Sequence, residues 1–306
     1  MPTRSRLGTQ SCEDYAVVAP GMLQNPSVRN WLGGVEPAWT LLDLDSFVAL
    51  HRPPSPTTGP IRLASDLTHE EIRQSAVARN ALVLLRAAAA GAGLKLTATG
   101  NLTRRVVAEM CDVFAWPGFD KAEAFRLQKV VNEPDFLPLF FVRNTAEAAK
   151  LLRPRKGYLK PTPAGRKMLD EAQMGALQAV LFHIALWHLD LGYLGRGLHD
   201  GWPQHDAGIV LWSLSVAAND WQSRERLTRL CTIPIVDVLD KQWDAASYAM
   251  EVRILRPLHW FGLLEHTKDD IAGSRFAKHH FYRKTALFDR FLSFDVRLEE
   301  AGAPPH

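Results

Sequence analysis

Six basic residues, Arg153, Arg155, Lys156, Lys160, Arg166 and Lys167, fall within fifteen consecutive positions that hold no acid. Lysine and arginine at that density suit contacts to phosphate, because each neutralised phosphate releases condensed counterions. Lys156-Gly157 would form the tip of the segment, placed to enter a minor groove. A second basic group, Lys278, Arg283 and Lys284 with Arg275, His279 and His280, is interleaved with Phe276, Phe281 and Tyr282. The remaining cluster able to do chemistry is His183, His188, Asp190, His199, Asp200, His205 and Asp206. Within it His183, His199, Asp200 and Asp206 are the candidate metal ligands, since imidazole and carboxylate suit divalent ions. His183 and His188 are five apart, off the spacing that puts two ligands on one helix face. The His-Asp pairs sit beside Gly201 and Pro203. The pattern therefore argues for a polar loop over a metal centre, and no cofactor is expected. No GxSxG elbow, Walker loop, GxGxxG or HExxH is present, so the residues give no catalytic signature.

These groups need elements to position them. Residues 1 to about 60 lack sustained periodicity and end in a stretch with four prolines between Pro53 and Pro60. That stretch predicts an extended arm and linker, with Trp31, Trp39, Leu41, Leu42 and Leu44 available to dock it. Asp66 or Thr68 opens a helix that closes at Gly91-Ala92-Gly93. A second helix runs from Leu102 to Phe114 with Arg104 and Arg105 at its start, and a third covers Asp120 to Asn132. A helix rich in Phe and Leu then starts at Asp135, with Arg143 and Asn144 as its thin supply of base-reading side chains. Arg153 to Thr162 reads as a hairpin turning at Lys156-Gly157. Thr162 with Pro163 starts a long helix reaching Trp187. Further helices are expected over 209–219, 224–230, 235–241 and 245–259. A hairpin over 263–283 and a helix from Ala286 complete the chain.

One short pattern recurs. Leu94 to Gly100 reads LKxTxxG, Leu159 to Gly165 reads it again, and Tyr282-Arg283-Lys284-Thr285 is a looser copy. The two later copies align over more than the motif: Leu151-Leu152 with Leu263-Leu264, Tyr158 with Phe281, and Thr162 with Thr285. Both give helix, strand, basic loop, strand, helix, the order of a duplicated unit. The stretch Arg155 to Arg166 resembles the strand–Thr–x–x–Gly ending of the wing in the winged helix-turn-helix superfamily. GLKLTATGNLTRRVVAEM, residues 93–110, is similar to a segment of uncharacterised bacterial plasmid and mobile-element proteins. The superfamily resemblance implies a DNA-contacting helix before each wing. Here those helices are apolar with few side chains for base readout, which weakens the DNA reading and suits protein docking.

The expectation is a mainly α protein of tandem winged-helix units with short β-hairpin wings and long connecting helices. Residues 1–60 would be the arm, 61–195 the first unit and 196–306 the second. Over 306 residues, 47% apolar side chains suffice for two such cores. A net charge of +3 permits nucleic-acid binding without arguing for it. Three cysteines in no CxxC arrangement predict reduced thiols. The lack of a signal h-region and of a spanning apolar run predicts a cytoplasmic protein away from membranes. The expected function is non-enzymatic binding of double-stranded DNA through the wings, as a regulator or accessory factor. The alternative is a winged-helix docking or assembly module that holds a protein partner or a second copy. The lesser one is a His/Asp metal-dependent hydrolase.

Overall fold

The computed structural model describes residues 21–54, 59–119, 131–195, 201–239, 244–271 and 278–299. Cys12, most of the helix expected over Asp120 to Asn132, His199, Asp200, Arg275 and Phe276 lie outside those residues.

The segment expected as an extended arm is helical where it is described. Asn25 caps α1 (Pro26–Leu32) and Asp43 caps α2 (Leu44–Leu50), each side chain accepting from a backbone N–H of the first turn. Between them a 3-10 turn, Ala38–Leu41, places the Trp39 indole to donate to the Thr232 carbonyl at 3.0 Å in the core. Local caps thus override the weak periodicity. Strand β1 (Ile61–Leu63) follows.

Among the described residues the body is mainly helical, with three small antiparallel sheets. After a capped turn of helix at His69–Ile72, Ser75 restarts the chain as α3 (Ala76–Ala89). Then come β2 (Leu94–Lys95), α4 (Arg104–Val113) and α5 (Leu137–Ala148). The hairpin β3 (Leu152–Arg155) and β4 (Tyr158–Pro161) turns at Lys156 and Gly157, both with positive φ, the geometry that matches strand twist in a two-residue loop. Thr162 caps α6 (Pro163–Lys167). The long helix expected from Thr162 is interrupted here, because Asp170 caps a new turn before α7 (Met174–Trp187).

The order then repeats: α8 (Ala207–Ala217), β5 (Gln222–Ser223), α9 (Arg224–Cys231), a turn of helix at Val236–Leu239, and α10 (Ala245–Met250). A π-helical turn, Glu251–Leu255, joins α10 to α11 (Arg256–Trp260). The second hairpin, β6 (Leu264–Asp270) and β7 (Lys278–Lys284), leads to α12 (Ala286–Phe291) and β8 (Leu292–Phe294). The strand orders are β2-β4-β3 and β5-β7-β6, so each hairpin's second strand is central. β1 pairs with β8, Ile61 opposite Phe294 and Leu63 opposite Leu292, tying the start of the body to its end.

One hydrophobic cluster runs through both halves. Phe141 of α5 meets Trp260 and Phe261 edge-on at 5.1 and 6.3 Å, and Phe182 of α7 meets Phe261 and Phe291 at 5.2 and 5.1 Å. Buried Gln178 accepts from the Ser75 hydroxyl and donates to the Phe261 carbonyl. Among the described residues no helix is long and apolar enough to cross a membrane.

The N-terminal helices dock by backbone as well as side chain. A Cβ on Gly208 would lie 2.1 Å from the Leu50 carbonyl oxygen, closer than any relaxed contact. Gly208→Ala should destabilise the protein by about 1–3 kcal/mol, despite alanine's better helix propensity. Urea unfolding followed by tryptophan fluorescence would show it as a lower midpoint with an unchanged slope.

Candidate functional site

The strand register sorts the first hairpin into two faces. Leu94, Leu152, Leu159 and Pro161 point into the core and are buried. The alternate positions point outward: Lys95 opposite Tyr158, Tyr158 opposite Arg155, and Arg153 opposite Lys160. The outer face of this sheet is therefore four cations around one phenol ring. The Lys160 ammonium lies 5.9 Å from the Tyr158 ring centroid. Lys156 stands at the turn, and Arg166 and Lys167 are exposed on α6. Among the described residues none of these cations has an ion-pair partner. Like charges opposite one another weaken a sheet, so the face carries a repulsive cost. Lys95 was missing from the sequence-based candidates. Its signal was the first LKxTxxG copy, whose strand pairs with the second copy.

The helix expected to read bases does something else. Arg143 points inward and is buried, its Nη1 donating to both Glu133 oxygens at 2.7 and 2.5 Å, its Nε to Glu147 and its Nη2 to the Gly100 carbonyl. Glu133, also buried, accepts from the Leu102 amide as well. Arg143 is thus the counter-charge of a buried carboxylate and is lost to base readout. Asn144 is engaged by the Tyr193 hydroxyl, and Phe140 beside it is covered edge-on by the Tyr193 ring at 5.7 Å. Arg104 is exposed and donates to Asn132, while Arg105 is exposed in an i,i+4 pair with Glu109.

The second hairpin's cations are also committed locally. Lys278 pairs with Asp270, and Arg283 pairs with Glu265 at 2.7 Å while lying 4.9 Å over the Trp221 ring. Lys284 donates to the Ser215 carbonyl and to Asp289. With Glu265, Thr267 and Asp269 alternating on its outer side, this hairpin presents mixed charge. The two hairpins share a topology and differ in electrostatics.

Among the described residues the metal candidates do not assemble, and His199 and Asp200 lie outside those residues. His183 and His188 meet, Nε2 to Nε2 at 2.9 Å, because α7 stops at Trp187 and His188 leaves helical geometry as the cap. That corrects the spacing argument, which assumed an unbroken helix. Asp206 is elsewhere, buried 3.6 Å from His51 Nε2, and burial pushes its carboxyl up to about 7. Among the described residues no group of three or more His, Cys, Asp or Glu is arranged to hold a metal. Sequence reasoning also missed a cavity of about 690 Å³ between the halves, where His259, His266 and His280 gather near Glu251 and Arg256.

The stretch that builds the cationic face has known counterparts. Residues 73–175 match the family model of the Y4jL N-terminal domain. The match begins just before α3 and ends in the first turn of α7, enclosing the sheet β2-β4-β3. The uncharacterized protein y4jL of Sinorhizobium fredii (strain NBRC 101917 / NGR234) is 40% identical over 81 residues. That covers 26% of this chain and 37% of the relative, so the likeness spans little more than a third of the relative's length. It bears out the expected resemblance to uncharacterised bacterial proteins. No solved structure matches.

Two stability outcomes follow from the buried charges of this region and its surroundings. Glu133→Ala leaves Arg143 buried without its main counter-charge and should cost about 3–5 kcal/mol, whereas Glu133→Leu combined with Arg143→Met should cost much less. Chemical denaturation of both variants checks this. Asp206 holds its proton in the folded state up to about pH 7 but loses it near 3.8 when unfolded. Its contribution to stability therefore falls as pH rises from about 4 to 7. His51 acts in the opposite sense, since burial lowers its imidazole and folding is penalised as pH drops below 6.5. Asp206→Asn should raise the melting temperature more at pH 8 than at pH 5. An equal shift at both would place the carboxyl's proton affinity near its ordinary value.

Proposed function

We propose that the chain is built of two winged-helix units and that the first binds the backbone of double-stranded DNA through the outer face of β2-β4-β3. The repeated order of helix, short strand, two or more helices and hairpin supports the architecture, with 61–195 and 196–306 as the units. The observation that carries the binding reading is the set of Lys95, Arg153, Arg155 and Lys160 on one sheet face around Tyr158, with Lys156 at its tip and no acid among them. Arg166 and Lys167, and Arg104 at the start of α4, extend the same chemistry. Contacts of this kind fix a protein on the duplex without carrying sequence information. Arg143 and Asn144 are occupied, so the binding proposed is sequence-tolerant, and the second hairpin has a bracing role. A protein-docking reading draws on one observation: Leu41, Leu44 and Leu298 are each more than half exposed along the seam where Leu42 bridges Leu298.

Fluorescence anisotropy with a random-sequence duplex across a salt series tests the DNA reading. Affinity should fall steeply with salt, by about 0.9 log units per tenfold salt for each phosphate neutralised. Arg155→Ala with Lys156→Ala should reduce that slope by about two, equally on unrelated sequences, while Lys278→Ala should leave it unchanged. Absence of binding at low salt, or an unchanged slope in the double variant, would favour docking through the leucine seam.

A further inference from the structure

The cavity between the halves holds more polar groups than packing requires. Its volume of about 690 Å³ falls in the range typical of small-molecule sites. Trp116 and Phe119 line it from the first half, and Trp260, His266, His280 and Arg256 from the second. His266 stacks on Tyr282 at 4.7 Å and on His280 at 5.1 Å, with interplanar angles of 20° and 14°. Its Nε2 lies 3.0 Å from His280 Nδ1.

Two independent features separate this wall from an ordinary core. The first comes from the internal repeat. Thr162 and Thr285 hold equivalent joints, so the cross-strand pair Pro154–Leu159 corresponds to the pair His266–Tyr282. At that rung the first hairpin carries an exposed proline and a buried leucine, neither with a polar side chain. At the same rung the second carries a histidine and a tyrosine, and continues the ring stack with His280. The second feature is the π turn at Glu251–Leu255. Pro257 cannot donate to the helix, and the wider turn sets Glu251 and Arg256 side by side, Oε1 to Nη2 at 3.0 Å. π turns of this kind are frequent at functional sites. The other Glu251 oxygen is held by Arg224 at 2.6 Å, so the acid is paired on both sides. Lys268, on the same face as His266 and at the rim, has no ion-pair partner among the described residues. Burial keeps His259, His266 and His280 below their ordinary protonation range. The lining then carries one net positive charge from Glu251, Arg256 and Lys268.

We propose that this cavity binds a small planar aromatic carboxylate, its carboxylate on Arg256 and Lys268 and its ring against the histidine stack and the tryptophans. Both halves of the molecule contribute to the site, so an occupant bridges them. The inference does not depend on DNA binding.

The probes are salicylate and naphthoate, titrated into the full chain by calorimetry and by tryptophan fluorescence. The expected result is saturable one-site binding with Kd of about 1 mM or tighter, and salicylamide, the neutral counterpart, about tenfold weaker or more. Arg256→Gln should weaken salicylate about tenfold. Lys268→Met should weaken it about threefold or more while leaving the melting temperature of the free protein unchanged, and this exposed position decides the matter if Arg256→Gln fails to fold. Absence of saturable binding for both probes, equal affinity for salicylamide, or an unchanged affinity in Lys268→Met would overturn the assignment.

Discussion

In both halves the helix before the hairpin ends in a left-handed residue, and the leucine after it is locked from two sides. Lys150 (φ 56°) and Gly262 (φ 76°) occupy that left-handed position. Leu151 then donates its amide to Ala146 and Leu263 donates to Leu258, each five residues back at 2.9 Å, the hydrogen bond of a Schellman cap. From the other side Thr162 and Thr285 return from the hairpin. Each donates its amide to that leucine's carbonyl and its hydroxyl to the carbonyl of the left-handed residue. The joint closes the hairpin against the helix end and fixes which strand residues face inward. A one-residue slip would reverse both faces of the hairpin, so every statement about cationic or aromatic faces rests on these three hydrogen bonds per unit. The lysine at the first joint accepts a backbone conformation that costs a non-glycine residue about 1 kcal/mol or more.

Once orientation is fixed, the two hairpins diverge by side chain alone. The first keeps its inner face apolar and places unpaired cations outside. The second pairs Arg283 on its outer face with Glu265, pairs Lys278 with Asp270 at the far end of its inner face, and lines the rest of that face with polar rings facing the cavity. In the first, charge repulsion across the Arg153–Lys160 pair is tolerated with no intervening acid. In the second, the purely apolar burial that Leu159 supplies at the corresponding position is forgone for the tyrosine Tyr282. Departures from the locally most stable choice concentrate where a surface or cavity serves something other than folding.

Much of this was legible from residue types with fixed backbone consequences. Gly157 after Lys156 specified the turn, Thr162 followed by Pro163 specified the cap, and the alignment of Thr162 with Thr285 corresponds to equivalent hydrogen-bonded joints. Apolar spacing with caps and stops gave the mainly helical character. What the sequence concealed were partnerships between distant segments. Arg143 looked available because its carboxylate partner, Glu133, precedes it across Pro134 and belongs to a different element. Lys95 looked isolated because β2 joins β4 only through tertiary pairing. Lys278, Arg283 and Lys284 looked like a basic wing because Asp270, Glu265 and Asp289 lie on neighbouring strands and helices. The supposed arm concealed its helices because each is only seven residues long, below the length at which periodicity is informative.

The burial of α5 bears on what kind of binding the first hairpin can support. A helix reads bases by entering the major groove with free polar side chains. Here Phe141 and Val142 are in the core, Phe140 lies under Tyr193, Asn144 is engaged by the same tyrosine, and Arg143 neutralises Glu133. Releasing the helix for a groove would unpair a buried guanidinium and carboxylate, at a cost of several kcal/mol. That exceeds the roughly 1–3 kcal/mol a bidentate base contact contributes to discrimination. The sheet face pays no such penalty, because among the described residues its cations have no ion-pair partner to lose. On these energetics the proposed duplex contact would fall to β2-β4-β3 with α5 staying in place, and any sequence preference would have to come from duplex shape.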